Sequence, residues 1–248
     1  MAEIGLQTIY EHNFPYMLTP PNHSWVPGFG IVAIVFGALL TLAGAGIVFQ
    51  KMTRQISLLL GAALLLVFCC WFVPYQFIMN PNYLHLGEWE NAEKELALAG
   101  GAFVIAGCFT GKSEGPLFKF LGRLAPTGAI LFAITMVSFG ILHFLFATQV
   151  TGFVPSWIPF HLFWIYFAGV ALIGSGVAII LRIKVPLIAS LLGLMIFIWV
   201  VSLHIPRVIA AAPADRGGEL TSAIIALAYS GIAFVIAGNA RRVGRSEH

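Results

Sequence analysis

Charged side chains are scarce in this chain of 248 residues. Asp, Glu, Lys and Arg together make up 9% of it, whereas they make up about a quarter of a soluble globular protein. Hydrophobic residues make up 59%, and the mean hydropathy is +0.93. Such a composition excludes an ordinary water-soluble domain, and the small net charge of +3 is no sign of nucleic-acid binding. We therefore expect a protein embedded in the lipid bilayer.

Several motifs that carry chemistry are also missing. The sequence has no HExxH, no GxSxG and no glycine-rich phosphate loop. Its three cysteines, Cys69, Cys70 and Cys108, form no CxxC pair and stand in apolar runs, where cysteine serves as a small hydrophobic residue. These absences argue against nucleotide chemistry and identify no catalytic residue. They leave a membrane-soluble or outer-face substrate, a bound metal or haem, or no catalysis at all.

Long apolar runs are what the chain does contain. A helix needs about 20 apolar residues to cross a hydrocarbon core of roughly 30 Å. Runs of about this length cover residues 29–49, 56–78, 93–111, 126–147, 160–181, 186–207 and 219–239. Residues 1–22 are too short and too interrupted by prolines to cross. The sequence thus predicts an all-α membrane protein with seven transmembrane helices.

The basic residues predict the orientation, because Lys and Arg are retained on the cytoplasmic side. With the N-terminus outside, ten of the thirteen basic residues fall inside, and only Lys94, Arg207 and Arg216 fall outside. We expect a protein of the cell inner membrane with an outer N-terminus and a cytoplasmic C-terminus. Its expected partners are the lipid bilayer and other membrane subunits, with no nucleic acid.

The chain also carries an internal repeat. Residues 87–107 and 218–238 match at 12 of 21 positions under a shift of 131, and a shift of 132 aligns Pro74 with Pro206 and Ser24 to Pro27 with Ser156 to Pro159. An even number of crossings separates the matched spans, so both copies run in the same direction. The prediction is a parallel repeat of three plus one plus three helices, in which the first copy has lost its first helix. Its expected parts are an outer segment 1–28, a three-helix repeat 29–111 and a four-helix unit 112–248.

Six of the seven histidines fall on the predicted outer side: His12, His23, His85, His143, His161 and His204. His143 and His204 stand inside apolar runs, where an ionisable ring needs a partner and is a functional candidate. Neutral imidazole suits copper, zinc and iron, and a facing pair of histidines can hold a haem. We expect His143 and His204 to be metal or cofactor ligands, with hydrogen bonds in the protein core as the alternative.

One glutamate stands at the start of the last span in each copy, Glu88 in the first copy and Glu219 in the second. A carboxylate in the first turn of a helix is favoured by the helix dipole, so capping explains both equally well. As a site, we expect an outer-side cavity between the repeats. Its predicted lining residues are His143, His161 and His204, with Glu88 and Glu219 as further candidates.

The second half resembles the DoxX-like membrane proteins. The resemblance lies in FGILHFLF at 139–146, the glycine-rich run at 154–181, and LLGLMIFIWVVSLHIPRV at 191–208. It implies a four-helix DoxX-like unit in which His143, His204 and Pro206 are motif positions. It also implies an oxidoreductase role as a quinone- or metal-linked redox subunit of a membrane complex, with quinone, haem or copper as the cofactor. The first half resembles the family only through the repeat, and has Phe72 where His204 stands.

Two other functions fit the same topology. Seven helices in a parallel three plus one plus three repeat are also the plan of the SWEET sugar carriers, although the chain lacks their proline-glutamine motif. A small-solute transporter is therefore an alternative. A non-catalytic structural subunit of a membrane complex is another, because smooth apolar helices need no site.

Overall fold

The computed structural model describes residues 1–15, 17–20, 28–109 and 115–246, with side chains up to residue 242. His23 and the motif from Ser24 to Pro27 lie outside these residues. The described part of the chain is helical and contains no strand. It divides into two compact units, Met1–Gly128 and Ala129–His248, which we call unit 1 and unit 2. The finer division expected from the sequence stays a prediction.

Unit 1 contains six α-helices and three short turns of other helix types among its described residues. They are α1 (Ala2–Glu11), α2 (Phe29–Val48), α3 (Thr53–Val67), a π-helix (Phe68–Phe72), α4 (Val73–Ile78), a 3-10 turn (Leu86–Trp89), α5 (Glu90–Gly107), α6 (Pro116–Gly122) and a 3-10 turn (Ala125–Thr127). Within the unit, α1 packs along α2, and α3 packs along α5.

Unit 2 is formed by the helices that follow. They are α7 (Gly128–Leu145), α8 (Ala147–Thr151), α9 (His161–Ile180), α10 (Val185–Trp199), a π-helix (Val200–His204), α11 (Ile205–Ala210) and α12 (Arg216–Ser246). The most extensive packing in this unit joins α10 to α12.

Six helical stretches of the described chain are long and apolar enough to cross a membrane. They are Phe29–Val48, Thr53–Ile78, Pro116–Leu145, His161–Ile180, Val185–Ala210 and Arg216–Arg242. These helices indicate an integral membrane protein in a lipid bilayer, as the sequence predicts. The remaining predicted span, 93–111, overlaps α5 and is not among the six. Four charged residues lie in the first six residues of α5: Glu90, Glu93, Lys94 and Glu95.

Residues 1–22, which by the sequence are too short and too interrupted to cross the membrane, contain a short helix. Residues 2–11 form α1, which runs antiparallel to α2 through contacts between small residues. Gly5 lies against Gly37 and Thr41, and a Cβ placed on Gly44 would come within 2.8 Å of the Cβ of Ala2. Ten helical residues rise only about 15 Å, half of the hydrocarbon core, so α1 alone does not cross.

The helix bounds of the two units differ by a constant offset. Adding 132 to the bounds of α2, α3 and the π-helix of unit 1 (29–48, 53–67 and 68–72) gives 161–180, 185–199 and 200–204, the bounds of their counterparts in unit 2. Between α2 and α3, Gln50 and Met52 have a left-handed backbone conformation. The residues 132 positions later, Arg182 and Lys184, have it too. These consecutive elements, with the short helix α4 or α11 that follows, therefore recur in the same order at the same spacing.

Each π-helix immediately precedes a short helix with proline at its second position, Pro74 or Pro206. Proline has no N–H, and its ring clashes with the carbonyl four residues before it. The wider π-turn relieves this conflict, because the Val73 and Ile205 N–H groups donate to carbonyls five residues back, those of Phe68 and Val200. The sequence therefore keeps the span helical up to each proline by winding the preceding turn more widely.

Candidate functional site

His204 is the last residue of the π-helix in unit 2, and its ring is only partly exposed. Its Nδ1 atom is buried and has no hydrogen-bond partner among the described residues. Leaving a buried polar atom unpaired costs about 1–3 kcal/mol. Such π-turns within helices are frequent at functional sites. His204 therefore offers a hydrogen bond that the described chain does not use.

Arg207 and Glu219 form a two-point ion pair next to His204. The Arg207 Nε donates to Glu219 Oε2 at 2.9 Å, and the Arg207 Nη2 donates to Glu219 Oε1. The two side chains are 25% and 21% exposed, so the pair is largely shielded from water. Arg207 follows His204 by three residues, the spacing of neighbours on one helix face. The pair joins α11 to the first turn of α12, and its planar geometry fixes the guanidinium.

An aromatic ring covers the guanidinium from another direction. The Phe153 ring centroid lies 4.1 Å from the Arg207 Cζ, within the range of a cation–π contact. Phe153 belongs to the segment between α7 and α9, and this segment is anchored by an apolar cluster. The cluster contains Ala147, Val154, Ile158 and Ile165, against which Trp164, Trp199 and Leu203 pack. Leu203, the residue that precedes His204, therefore connects the site to this cluster.

An open cavity of about 670 Å³ lies on one side of the ion pair. Its walls are Arg207, Ala210, Ala211, Ala212, Ala214, Asp215, Gly218 and Glu219. The alanines and the glycine leave room for a ligand, while the charged groups line one wall. His204 is not part of this wall, so a ligand in the cavity meets Arg207 first.

The other two predicted histidines of unit 2 lie on α7 and α9. His143 stands where α7 passes Gly169 of α9, and its Nδ1 is hydrogen-bonded to the Phe139 carbonyl at 2.7 Å. His161 is the first residue of α9 and is half-buried. For His143, the structure thus supplies the alternative we considered, a hydrogen bond within the protein.

Glu88 belongs to unit 1 and is exposed. Its Oε2 accepts a hydrogen bond from Asn80 at 3.1 Å, and its backbone carbonyl accepts one from the Gln76 side chain. Glu88 is the counterpart of Glu219 under the shift of 131. In each unit, this glutamate is tied to the chain that follows the π-helix, so a structural role accounts for Glu88.

The described residues contain no cluster of three or more His, Cys, Asp or Glu side chains that could hold a metal ion. The Arg207 guanidinium next to His204 repels a cation. The Nδ1 atom of His143 is already engaged by the Phe139 carbonyl. The metal and haem predictions for His143 and His204 stay predictions, and so does the cavity between the repeats.

Sequence reasoning missed Arg207 and Phe153. A signal for Arg207 was present, because it is one of only three basic residues on the predicted outer side and directly follows the HxP motif of His204 and Pro206. Phe153 gave no signal, because a phenylalanine in an aromatic-rich segment is ordinary.

Compared with protein-family models, with curated proteins and with solved structures, the chain matches none. The resemblance to DoxX-like proteins therefore rests on the sequence motifs alone.

Proposed function

We propose that the chain is a duplicated four-helix membrane protein in which α5 crosses the bilayer as a seventh span. The constant offset between the helix bounds supports the duplication. Under the shift of 131, α5 (90–107) corresponds to residues 221–238, which lie within the apolar helix α12. Its charged residues stand at one end, and its C-terminal half, from Leu98 to Gly107, is free of charge. In this architecture α1 is a shortened first helix.

As its function, we propose that unit 2 binds a lipid-soluble quinone next to His204 and Arg207, as a redox subunit of an inner-membrane complex. The observation that carries the proposal is the buried Nδ1 of His204, which lacks a partner among the described residues, three residues before the arginine whose guanidinium Glu219 holds. A quinone would supply reversible two-electron chemistry. Its carbonyl oxygens accept hydrogen bonds, and imidazole and guanidinium N–H groups donate them.

Each neighbour of His204 has a role in this proposal. Arg207 donates to one carbonyl oxygen of the ligand while Glu219 holds the guanidinium in place and offsets its charge. Phe153 provides an aromatic face beside the same guanidinium, against which a planar ring can stack. His204 donates or accepts a hydrogen bond through Nδ1, which is buried in the structure, so binding requires the ligand to displace the groups that cover it.

A fluorescence titration tests the proposal. Trp164 and Trp199 contact each other at 6.0 Å between ring centroids and pack against the same cluster as Leu203, so they report binding near His204. Adding menadione or decylubiquinone to the purified protein in nanodiscs should quench this emission with saturation. The variant His204→Phe introduces the residue that unit 1 carries at Phe72. It should weaken binding about 10-fold or more, the equivalent of one lost hydrogen bond.

A matched control is His85→Phe, which replaces an exposed histidine of unit 1 and should leave binding unchanged. The proposal fails if the wild-type protein shows no saturable quenching, or if His204→Phe binds as tightly as wild type. A small-solute transporter or a structural subunit would then be the interpretation. Uptake of labelled solutes into proteoliposomes would separate those two.

A further inference from the structure

Glu95 is a fully buried carboxyl group in unit 1. Its exposed fraction is 0%, and neither carboxyl oxygen has a hydrogen-bond partner among the described residues. Around it on α5, Ala92, Leu96 and Ala99 are also buried. Nothing in the described chain therefore satisfies this group, although it is the most costly kind of side chain to bury.

The packing of α3 against α5 gives the depth of Glu95. At one end the Arg54 guanidinium donates to the carbonyls of Ala106 and Phe109, at 2.9 and 3.0 Å. At the other end the Gln76 side chain donates to the Glu88 carbonyl. The segment from α3 to α4 and the helix α5 run antiparallel. Glu95 therefore lies between these two ends, at the level of the π-helix of unit 1. It is therefore remote from the polar groups at either end of the pair.

The elements packed against α5 bring few ionisable groups near Glu95. The elements packed against α5 are α3, the π-helix and the two 3-10 turns of unit 1. Their titratable side chains are Arg54, Cys69, Cys70 and Glu88. Arg54 and Glu88 are engaged at the two ends described above. On α5 itself, Lys94 pairs with Glu90 at 2.6 Å, and Glu93 is a second acid. No cation pairs with Glu95 among the described residues.

The duplicated fold does not require a carboxyl group at this position. Under the shift of 131, the counterpart of Glu95 in α12 is Ala226. An alanine thus suffices for packing at the equivalent point of unit 2. A lone carboxylate in a medium of low dielectric constant is so unfavourable that the group takes up a proton instead. Ionisable residues at such positions in membrane proteins are functional candidates by default.

We propose that Glu95 is a proton-binding site inside unit 1, occupied at neutral pH and exchanging its proton with water as the pH rises. The site is independent of the quinone proposal, because it lies in the other unit and its ligand is a proton.

Dicyclohexylcarbodiimide tests this proposal, because this apolar reagent enters membranes and reacts with protonated carboxyl groups. The carboxyl oxygen bonds to the central carbon of the reagent and the proton moves to one of its nitrogens, so the whole reagent is added and nothing leaves. Peptide mass spectrometry of the folded protein in nanodiscs should show Glu95 labelled at pH 6, with labelling falling several-fold by pH 9. A water-soluble carbodiimide should not label it.

Two variants complete the test. Glu95→Gln resembles the protonated side chain, so it should fold like wild type, elute as a single species and lose the adduct. Glu93→Gln changes the neighbouring acid and should keep the adduct on Glu95. Absence of labelling at pH 6, labelling that does not depend on pH, or equal labelling by the water-soluble reagent would each overturn the proposal. No quinone is present, so failure here is distinguishable from failure of the quinone site.

Discussion

Arg207 illustrates how one side chain can be held from two sides at the edge of a membrane protein. Glu219 fixes its guanidinium through two hydrogen bonds, and Phe153 covers it at 4.1 Å. Another ion pair of the described chain, Glu90 with Lys94, lies one turn apart on α5. Its glutamate and lysine side chains are 51% and 13% exposed, so water reaches this pair through Glu90. Water screens an exposed pair strongly and a shielded pair weakly. The two pairs should therefore differ in strength.

A double-mutant cycle measures that difference. Arg207→Gln, Glu219→Gln and the double variant should give a coupling free energy of about 1–3 kcal/mol, the range for shielded hydrogen bonds to charged groups. The matched cycle on Glu90 and Lys94 should give about 0.3–0.5 kcal/mol, the range for ion pairs one turn apart on a helix. Reversible denaturant unfolding in mixed micelles provides the free energies. Equal couplings in the two cycles would show that the structure overstates the shielding of Arg207.

The sequence predicted only part of these residue-level features. His204 stood out because a ring nitrogen inside an apolar run is rare, and it lies at the site. Arg207 was treated as an exception to the orientation rule, because its partner Glu219 is twelve residues away across a turn. Glu95 was missed because it follows three other charged residues, which made it resemble the polar start of a helix. Burial, which distinguishes it from them, depends on packing that the sequence does not display.

The element that most changes the expected architecture is α1. Its contact with α2 is made by small residues, and in lipid such close backbone approach is a main source of helix association. Gly44 lies against Ala2, and Gly5 lies against Gly37. In unit 2, Gly176 lies in the same way against Ala133 of α7, and Ala133 is the counterpart of Ala2 under the shift of 131. The short helix thus occupies the place of a full first helix.

Removing this contact should destabilise unit 1. Gly44→Leu places a branched side chain where a Cβ alone would already touch Ala2, so α1 cannot dock. We expect a lower unfolding temperature in detergent, and a similar fall when residues 1–11 are deleted. Because both changes remove the same contact, combining them should add little further loss.

The matched control for this experiment is Gly174→Leu. A Cβ on Gly174 meets no atom within 4 Å, so this variant should keep the wild-type unfolding temperature. Fully additive losses from Gly44→Leu and the deletion would contradict the docking of α1 against Gly44.

Most helices could be predicted because their apolar runs are uninterrupted. The predicted spans 29–49 and 160–181 agree within one residue at each end with α2 and α9. The π-helices could not be predicted, because a proline near the end of a span is also compatible with a kink or with a helix end. The sequence did not reveal α1, because the prolines of residues 1–22 suggested that the whole segment is irregular. The ten helical residues all precede the first of these prolines, Pro15.

At the scale of the whole molecule, the two units share a scaffold and differ in their polar residues. Unit 1 has Phe72 and Glu95, and unit 2 has His204 and Ala226 at the corresponding positions. Glu95 is buried and His204 is partly buried, and each stands where the other unit has an apolar residue. The proposed duplication accounts for the shared helix bounds, and our two proposals assign these groups different tasks, ligand binding in unit 2 and proton binding in unit 1.

The direction of α1 also bears on the orientation of the chain. Ala2 lies beside Gly44, four residues before the end of α2 at Val48. That end leads to Lys51 and Arg54, which the distribution of basic residues places inside. We therefore expect the N-terminus at the cytoplasmic side, in place of the outer side expected from the sequence, with the C-terminus also cytoplasmic. With the seven spans proposed above, this requires the chain before α2 to supply an eighth crossing, which α1 begins.

Labelling of intact cells and spheroplasts tests this topology. In a variant whose native cysteines are replaced by serine, Thr148→Cys should react with an impermeant maleimide from outside, and Met52→Cys should react only after permeabilisation. Both positions are exposed in the structure, so poor access within the protein does not explain protection. An epitope tag ahead of Met1 should resist protease in spheroplasts and be cut after lysis. Cleavage of the tag in intact spheroplasts would show that the N-terminus lies outside. Labelling of Met52→Cys from outside would show that the orientation of the whole protein is the reverse of the one expected here.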